Sequence, residues 1–338
     1  MIIVMKKSAT DEQINSILKE ITEKKLKPMP LYGTERTVIA IIGDERTLDQ
    51  QHLSSIPGVS DVMRVLPPYK LVSRETKYED SIIKIRDNIQ VGGNKIEIMA
   101  GPCAVENYEF TRDAAKACKM AGANILRGGA FKPRTGPYSF KGLGKEGLEI
   151  LKQVSKEEDM AIVTEVLDIR DIDLICNYTD ILQIGARNMQ NFNLLEEVGK
   201  TKKPVLLKRG LSATIKEWLL AAEYIMSNGN PDVILCERGI RTFETDTRST
   251  LALASVPVIK GLSHLPIVVD PSHSTGKPGL IAPMTKAALA AGADGIIVEV
   301  HPKPEEALCD GNQALTPEMF STMMEEIKPL AKAIGRTI

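Results

Sequence analysis

From Ile96 to the C-terminus the chain alternates between apolar runs of strand length and stretches with helical spacing. Eight runs recur in order: "IEIMAG", "NILRGG", "AIVTEV", "ILQIGAR", "PVLLKRG", "VILCERG", "PIVVDPSH" and "GIIVEVHP". Helix-like stretches separate them, among them residues 108–121, 145–158, 215–228 and 281–291. A last helix opens at Thr316-Pro317-Glu318, with threonine at the cap and proline in the first turn. Strands that are apolar throughout belong to a parallel sheet covered on both faces. Eight such strand–helix units, in a segment close to the usual length of about 250 residues, predict an α/β fold, a (β/α)8 barrel. An open doubly wound sheet is the alternative, but no Gly-rich P-loop or GxGxxG is read in the chain, which argues against a nucleotide.

Residues 1–66 follow another rhythm. "IIVM" reads as a strand; Thr10 and Gln13 form a capping box; Ile14, Ile17, Leu18 and Ile21 follow at helical spacing. "KPMPLYG" and "TVIAIIG" read as strands, "TLDQQHLSSIPG" as a short helix and "VSDVMRVL" as a last strand. The order βαββαβ is that of a small α+β ferredoxin-like domain. Its helices should cover one sheet face, leaving the other face and the strand edges for a partner or ligand. The polar segment 67–81, opened by Pro67-Pro68, reads as a linker. The barrel domain, 82–338, then begins with "IIKIRDNIQVGGN", a hairpin expected to turn near Gly92-Gly93.

Composition excludes several functions. The net charge is −1, so there is no general attraction to nucleic acid or to an anionic membrane, and any cationic site must be local. Five widely spaced cysteines make no disulfide framework and fit a reducing cytoplasm. "MIIVMKKSAT" has too few apolar residues before its lysines for a signal peptide or a membrane anchor.

Active sites of (β/α)8 barrels sit at the C-terminal ends of the strands. Those ends carry Cys103, Arg127, Glu165, Arg187, Lys208, Glu237-Arg238, Asp270 with His273, and Glu299 with His301. The loop "LRGGAFKPRTGPYSF" adds Lys132 and Arg134, and the last loop adds Asp310. Any one of these could cap a loop in water; a charged group at every end points to a site. Arg127, Lys132, Arg134, Arg187, Lys208 and Arg238 outnumber the carboxylates expected to face them, Glu165 and Glu237, so the set predicts an anionic, phosphorylated substrate. Cys103, His273, Glu299 and Asp310 offer S, N and O donors from strand ends that are neighbours in a closed barrel. Such a set suits one divalent ion of borderline softness, Mn, Fe, Co, Zn or Cu. Cys309 is a rival ligand; Cys118, Cys176 and Cys236 read as structural. Lys208 could form a Schiff base, as barrel aldolases do, but among arginines an anion contact is preferred.

"AGPCAVE", "LRGGAFKPRT", "QIGAR", "LLKRG", "ERGIRTFE" and "DPSHSTG" resemble 3-deoxy-D-arabino-heptulosonate 7-phosphate (DAHP) synthases. The motifs occur in order from about residue 85 to the end, and the subtype with a ferredoxin-like regulatory domain is the most similar. The resemblance implies condensation of phosphoenolpyruvate with erythrose 4-phosphate, the first step toward the aromatic amino acids. It makes Cys103, His273, Glu299 and Asp310 the metal ligands. It assigns Arg127, Lys132, Arg187, Lys208 and Arg238 to phosphoenolpyruvate, and Arg134 and Thr135 to the sugar phosphate. Lys132 is placed to protonate or hold the new alkoxide, and Glu165 to order a water. One departure is Gly136, where serine often supplies a minor phosphate contact. The related octulosonate 8-phosphate synthases carry an Asn-Arg-Ser type loop where this chain has Pro-Arg-Thr. A non-catalytic, ligand-sensing barrel is the reading from another class. The family likeness further implies a homotetramer and feedback inhibition by tyrosine or phenylalanine through residues 1–66, by closing over a neighbour's barrel mouth.

Overall fold

Strand pairing settles the architecture. A computed structural model of the chain describes residues 1–338 apart from 34–35, 44–47, 64–67 and 135. The chain divides into two compact units, Met1–Asp80 with Gly261–His264, and Ser81–Lys260 with Leu265–Ile338.

The first unit runs β1 (Ile2–Met5), α1 (Asp11–Glu23), β2 (Lys27–Tyr32), β3 (Thr37–Ile42), α2 (Gln50–Ser55) and β4 (Val59–Met63). The sheet order is β2-β3-β1-β4, antiparallel throughout, which is the ferredoxin-like arrangement. The capping box at Thr10 and Gln13 is present, and Ile14, Ile17 and Ile21 turn inward onto Ile3, Met5, Ile39 and Ile41. Period 3.6 on the helix meets period 2 on the strands, so one stripe of the helix packs on one strand face, while β1 is buried along its whole length. The end of the sequence-predicted fourth strand, residues 64–66, lies outside the described residues.

The second unit opens with a hairpin, β5 (Ile83–Arg86) and β6 (Ile89–Val91). It turns at Asp87-Asn88 rather than at Gly92-Gly93, with a register shift between Lys84 and Arg86. Asp and Asn favour turns through their own side-chain hydrogen bonds, so the two polar residues end the strand before the glycines are reached. Ile83, Ile89 and Val91 join Met99, Ile125, Val163, Ile181, Leu206, Ile234, Val268 and Ile297 in one core.

Eight parallel strands follow: β7 (Glu97–Gly101), β8 (Ile125–Arg127), β9 (Ala161–Glu165), β10 (Ile181–Ile184), β11 (Val205–Lys208), β12 (Val233–Glu237), β13 (Ile267–Val269) and β14 (Gly295–Glu299). β14 pairs with β7 over five residues and closes the barrel. The helices are α3 (Tyr108–Ala121), α4 (Lys145–Glu157), α5 (Ile172–Cys176), α6 (Phe192–Gly199), α7 (Ile215–Ser227), α8 (Ser255–Leu262), α9 (Pro271–Thr275), α10 (Pro278–Ala290) and α11 (Pro317–Ala333). α3 illustrates the local logic. Asn107 caps its N-terminus by accepting from Phe110 N, Gly122 ends it in the left-handed region, and Thr111, Ala114, Ala115 and Cys118 form the buried stripe. α5, α6, α8 and α9, five to eight residues each, are too short for periodicity to reveal.

Residues 142–147, "GLGKEG", do spell GxGxxG and open α4. They follow a long loop from β8 instead of the tight strand–helix turn of a dinucleotide fold. Gly142 is needed for that loop: φ is +91°, and a Cβ would stand 2.1 Å from the carbonyl oxygen of Ala130.

In the first unit, buried His264 lies with Nε2 2.7 Å from the carbonyl oxygen of Leu71. Burial is the main reason that its pKa falls to about 4. An exposed histidine titrates near 6.5. Between these values the unfolded chain binds a proton that the folded unit refuses, so stability should fall as pH drops from about 6.5 to about 4 and level off below. Urea unfolding against pH should show this limb in the wild type, and His264→Gln should flatten it.

Candidate active site

All eight strands point the same way, so their C-terminal ends gather on one rim. Arg127, Glu165, Lys208 and Glu299 end their strands there as buried residues. Arg127, Glu165 and Lys208 line a cavity of about 380 Å³. Its lining carries Arg127, Lys132, Arg134, Arg187, Lys208, Arg238, Arg241 and Arg248 against two carboxylates, Glu165 and Asp310. A site with that imbalance is built for a multiply charged anion.

One wall holds a donor cluster. Cys103, His273, Glu299 and Asp310 place their ligand atoms within 4.8 Å of one another. The Cys103 thiol lies 3.5 Å from Asp310 Oδ2, and His273 Nε2 lies 3.0 Å from Glu299 Oε1. Protein–metal bonds of about 2.0–2.3 Å need donors gathered on this scale. One thiol, one imidazole and two carboxylates form a mixed set that fits a borderline divalent ion.

Asp270 organises the neighbourhood. Its carboxylate accepts from Lys208 Nζ at 2.6 Å, from His273 Nδ1 at 2.7 Å and from His273 N at 2.9 Å, which caps α9. The ring is thereby held with Nε2 toward the cluster, the carboxylate–histidine arrangement common at metal sites. Burial pulls the His273 pKa down, but Asp270 and Glu299 outweigh it and raise it to about 9. Burial would lift the Glu299 and Asp270 carboxyls; the His273 charge, with Arg127 beside Glu299 and Lys208 beside Asp270, holds both well below the usual range.

Beside the cluster, Arg238, Lys132 and Arg134 make hydrogen bonds to neutral oxygens or to sulfur. Arg238 donates to the neutral oxygens of Gly239, Ser249 and His273. Lys132 Nζ donates to Cys103 O at 2.9 Å and to its sulfur at 3.1 Å. Arg134 Nη1 donates to Cys309 Sγ, and Cys309 lies 3.4 Å from Cys103 Sγ. The hydrogen bond from Cys103 brings the Cys309 pKa down to about 7. The same bond and burial push Cys103 well up. Arg127 donates to Pro102 O and Glu299 through Nη1, and its buried Nε has no partner among the described residues. Gly185 makes room for Glu165, since a Cβ there would come within 2.0 Å of its Oε1.

The structure corrects one expectation. Glu237 does not face the substrate cations. It pairs with Arg209 Nη1 at 2.7 Å and accepts from Gly239 N and Ser255 Oγ. Strand alternation sends it to the opposite side from its neighbour Arg238. Thr135 lies outside the described residues, while Gly136 lines the cavity. Lys208 sits in an ion pair, unlike the apolar setting that activates imine-forming lysines. Sequence reasoning missed Arg241, Arg248, Gln183 and Gln313, and gave Asp270 no role. Gln183 Nε2 lies 3.4 Å from Glu165 Oε2. Arg241 lay inside a motif already singled out; Gln313, three residues after Asp310, carried no signal of its own.

Residues 77–335 match the DAHP synthetase I family, and residues 1–67 match the DAHP synthase ferredoxin-like domain. The chain belongs to the DAHP synthetase I family. It is 51% identical over 335 residues to the phospho-2-dehydro-3-deoxyheptonate aldolase of Thermotoga maritima, covering 99% of each chain. It is 30% identical over 265 residues to a 2-dehydro-3-deoxyphosphooctonate aldolase of Syntrophobacter fumaroxidans, covering 73% of this chain and 91% of that one. The crystal structure of the Thermotoga maritima DAHP synthase matches with a TM-score of 0.79 and 50% identity, over 99% of this chain and 98% of that one. A truncated form of that organism's 3-deoxy-D-arabino-heptulosonate 7-phosphate synthase matches with a TM-score of 0.75 and 49% identity, over 80% of this chain and 98% of that one. Among the described residues no helix is long and apolar enough to cross a membrane.

The Lys208–Asp270 pair, 5% and 1% exposed, gives this DAHP synthase site a testable weak point. Asp270→Asn strips a buried ammonium of its counter-charge, and breaking such pairs costs about 3–5 kcal/mol. Urea unfolding should show that loss, and adding Lys208→Met should recover part of it. A loss below about 1 kcal/mol would mean that water replaces the pair freely.

Proposed function

We propose that this DAHP synthase family member condenses phosphoenolpyruvate with erythrose 4-phosphate and water, releasing phosphate, with one divalent metal ion held by Cys103, His273, Glu299 and Asp310. The observation that carries the reading is that this donor set, two of whose members, His273 and Asp310, line the cavity, adjoins eight lysines and arginines of the same lining. The four-carbon sugar is preferred over a five-carbon one because the heptonate aldolase matches the whole chain at 51%, and the octonate aldolase only 73% of it at 30%.

Bound there, the ion supplies Lewis-acid polarisation of a carbonyl oxygen. The protein does the rest by placement. Arg127, Arg187, Lys208 and Arg238 clamp the carboxylate and phosphate of phosphoenolpyruvate, and Arg134, with Thr135, takes the sugar phosphate. Fixing both anions brings C3 of phosphoenolpyruvate to the aldehyde carbon, and such positioning can lower a barrier by about 7 kcal/mol or more. C3 bonds to that carbon, C2 becomes electron-poor, and a water ordered by Glu165 adds to C2. The hemiketal phosphate then loses phosphate by C–O cleavage. Lys132, half-buried with Nζ 3.1 Å from the Cys103 sulfur, has a pKa that burial pulls down but neighbouring negative charge raises on balance, so it stays an ammonium and hands a proton to the new alkoxide.

Release of inorganic phosphate should require both substrates, stop with EDTA and return with added Mn or Co. No turnover with any divalent ion would end this reading. Borohydride with substrate should trap no adduct; trapping Lys208 would install the Schiff-base aldolase in its place.

The substrates should separate by mutation. Arg134→Ala should raise KM for the sugar phosphate at least about tenfold more than KM for phosphoenolpyruvate, in line with a lost charged contact. Arg187→Ala should show the reverse bias. Equal effects on both substrates would mean that the cations are divided otherwise.

Residues 1–67 match the ferredoxin-like domain of this family. We infer that they regulate, by binding tyrosine or phenylalanine between subunits of a homo-oligomer. An effector shifts an equilibrium only through differential affinity, so binding must favour an arrangement that limits access to a barrel mouth. A chain beginning near Ser81 should stay active and lose sensitivity to both amino acids. Full-length protein indifferent to both, and to chorismate and prephenate, would reduce the domain to a structural role.

A further inference from the structure

Gln313 stands one turn beyond Asp310. Asp310 adopts the left-handed region at φ 52° and opens a 3-10 turn over Gly311–Gln313, in which Gln313 N donates to Asp310 O at 3.1 Å. The turn brings the glutamine side chain back over the donor cluster, where it is 4% exposed. Its Nε2 lies 2.5 Å from Glu299 Oε2 and 3.5 Å from Asp310 Oδ2. Its Oε1 accepts from Arg248 Nη1 at 2.7 Å. An amide can be turned either way, but a guanidinium only donates. Arg248 therefore fixes the oxygen toward itself and both N–H bonds toward the carboxylates. The same Arg248 nitrogen reaches Asp310 Oδ2 at 3.2 Å.

The residue type matters. Glu299 comes from the end of β14 and Asp310 from the loop eleven positions on, so no shared element sets their separation. Two carboxylates brought together repel, and each adds to the cost of ionising the other. A lysine between them would relieve the repulsion but would compete with a metal ion for the same charge. A glutamate would add a third anion. A glutamine bridges both through N–H donors and leaves their charge undiminished.

From this geometry we propose that Gln313, oriented by Arg248, is a positioning residue that sets the separation and direction of the Glu299 and Asp310 carboxylates for divalent-metal binding. The proposal rests on the reading of Cys103, His273, Glu299 and Asp310 as metal donors. Outer partners of this kind typically change metal affinity by about 10–100-fold when removed.

The test uses the full chain stripped of metal with a chelator and titrated with Co(II) or Mn(II) by calorimetry. Gln313→Met keeps the length of the side chain and removes both donors. It should weaken binding about 10–100-fold, alter the visible absorption of the Co(II) form, and leave the melting temperature of the stripped protein unchanged. Arg248→Met frees the amide to turn, so it should weaken binding in the same direction, and the double variant should lose little more than Gln313→Met alone. If Gln313→Met does not fold, Arg248→Met carries the measurement. A wild type that binds neither ion removes the metal reading and the proposal with it. A wild type that binds, with variants matching it in affinity and spectrum, overturns the positioning role and leaves the metal reading intact.

Discussion

The carboxylate of Asp270, 1% exposed, is the contact on which the catalytic end of the barrel depends. A lone buried anion would be untenable. Three donors make it tenable, and each donor has a second task. Lys208 terminates β11 and faces the cavity; the His273 amide begins α9; the His273 ring turns its far nitrogen to Glu299. One side chain thus ties a strand end, a helix start and a candidate metal donor together. Moving it would disturb all three.

Around it, buried charge is arranged in pairs that differ in purpose. Arg209–Glu237 is closed: Glu237 also takes Gly239 N and Ser255 Oγ, and Arg209 stacks over Trp218. Arg127–Glu299 and Lys208–Asp270 are half open, each with one member lining the cavity. Arg238, Lys132 and Arg134 lean on neutral oxygens or sulfur. The progression runs from cations that are fully compensated, through cations that share their counter-charge, to cations with charge to spare. Low effective dielectric amplifies the last group, and that is where an anionic substrate gains most.

Much of this was legible from sequence because apolar strands and charged strand ends are local signals. Eight runs gave eight strands, and the residues at or just after their ends gave Cys103, Arg127, Glu165, Lys208 and Glu299 at one rim. The donor cluster followed from barrel closure, which makes the first and last strands neighbours. What escaped was set by contacts at a distance in the chain. Glu237 and Arg238 are adjacent in sequence and both charged, and only strand alternation sends one to a structural pair and the other to the cavity. Gln313 looks like any polar loop residue until the 3-10 turn folds it back. Arg248 lies in a loop whose neighbours are mostly exposed, and only its bonds to Asp310 and Gln313 single it out. The hairpin turn escaped because glycine is the louder signal, while Asp87-Asn88 acts first.

The pairing of β14 with β7 has a consequence for how the molecule comes into being. Cys103 follows the first barrel strand, whereas Glu299 and Asp310 arrive with the last strand and the loop after it. During synthesis, roughly two hundred residues must leave the ribosome between the first donor and the last, some ten to forty seconds at about 5–20 residues per second. For most of that interval three of the four donors do not exist. A partial barrel has neither the closing strand nor the pocket, so a nascent or truncated chain has no complete nest in which to trap a stray ion. The donors meet only once β14 has paired with β7, so the cluster is the last part of the barrel to assemble.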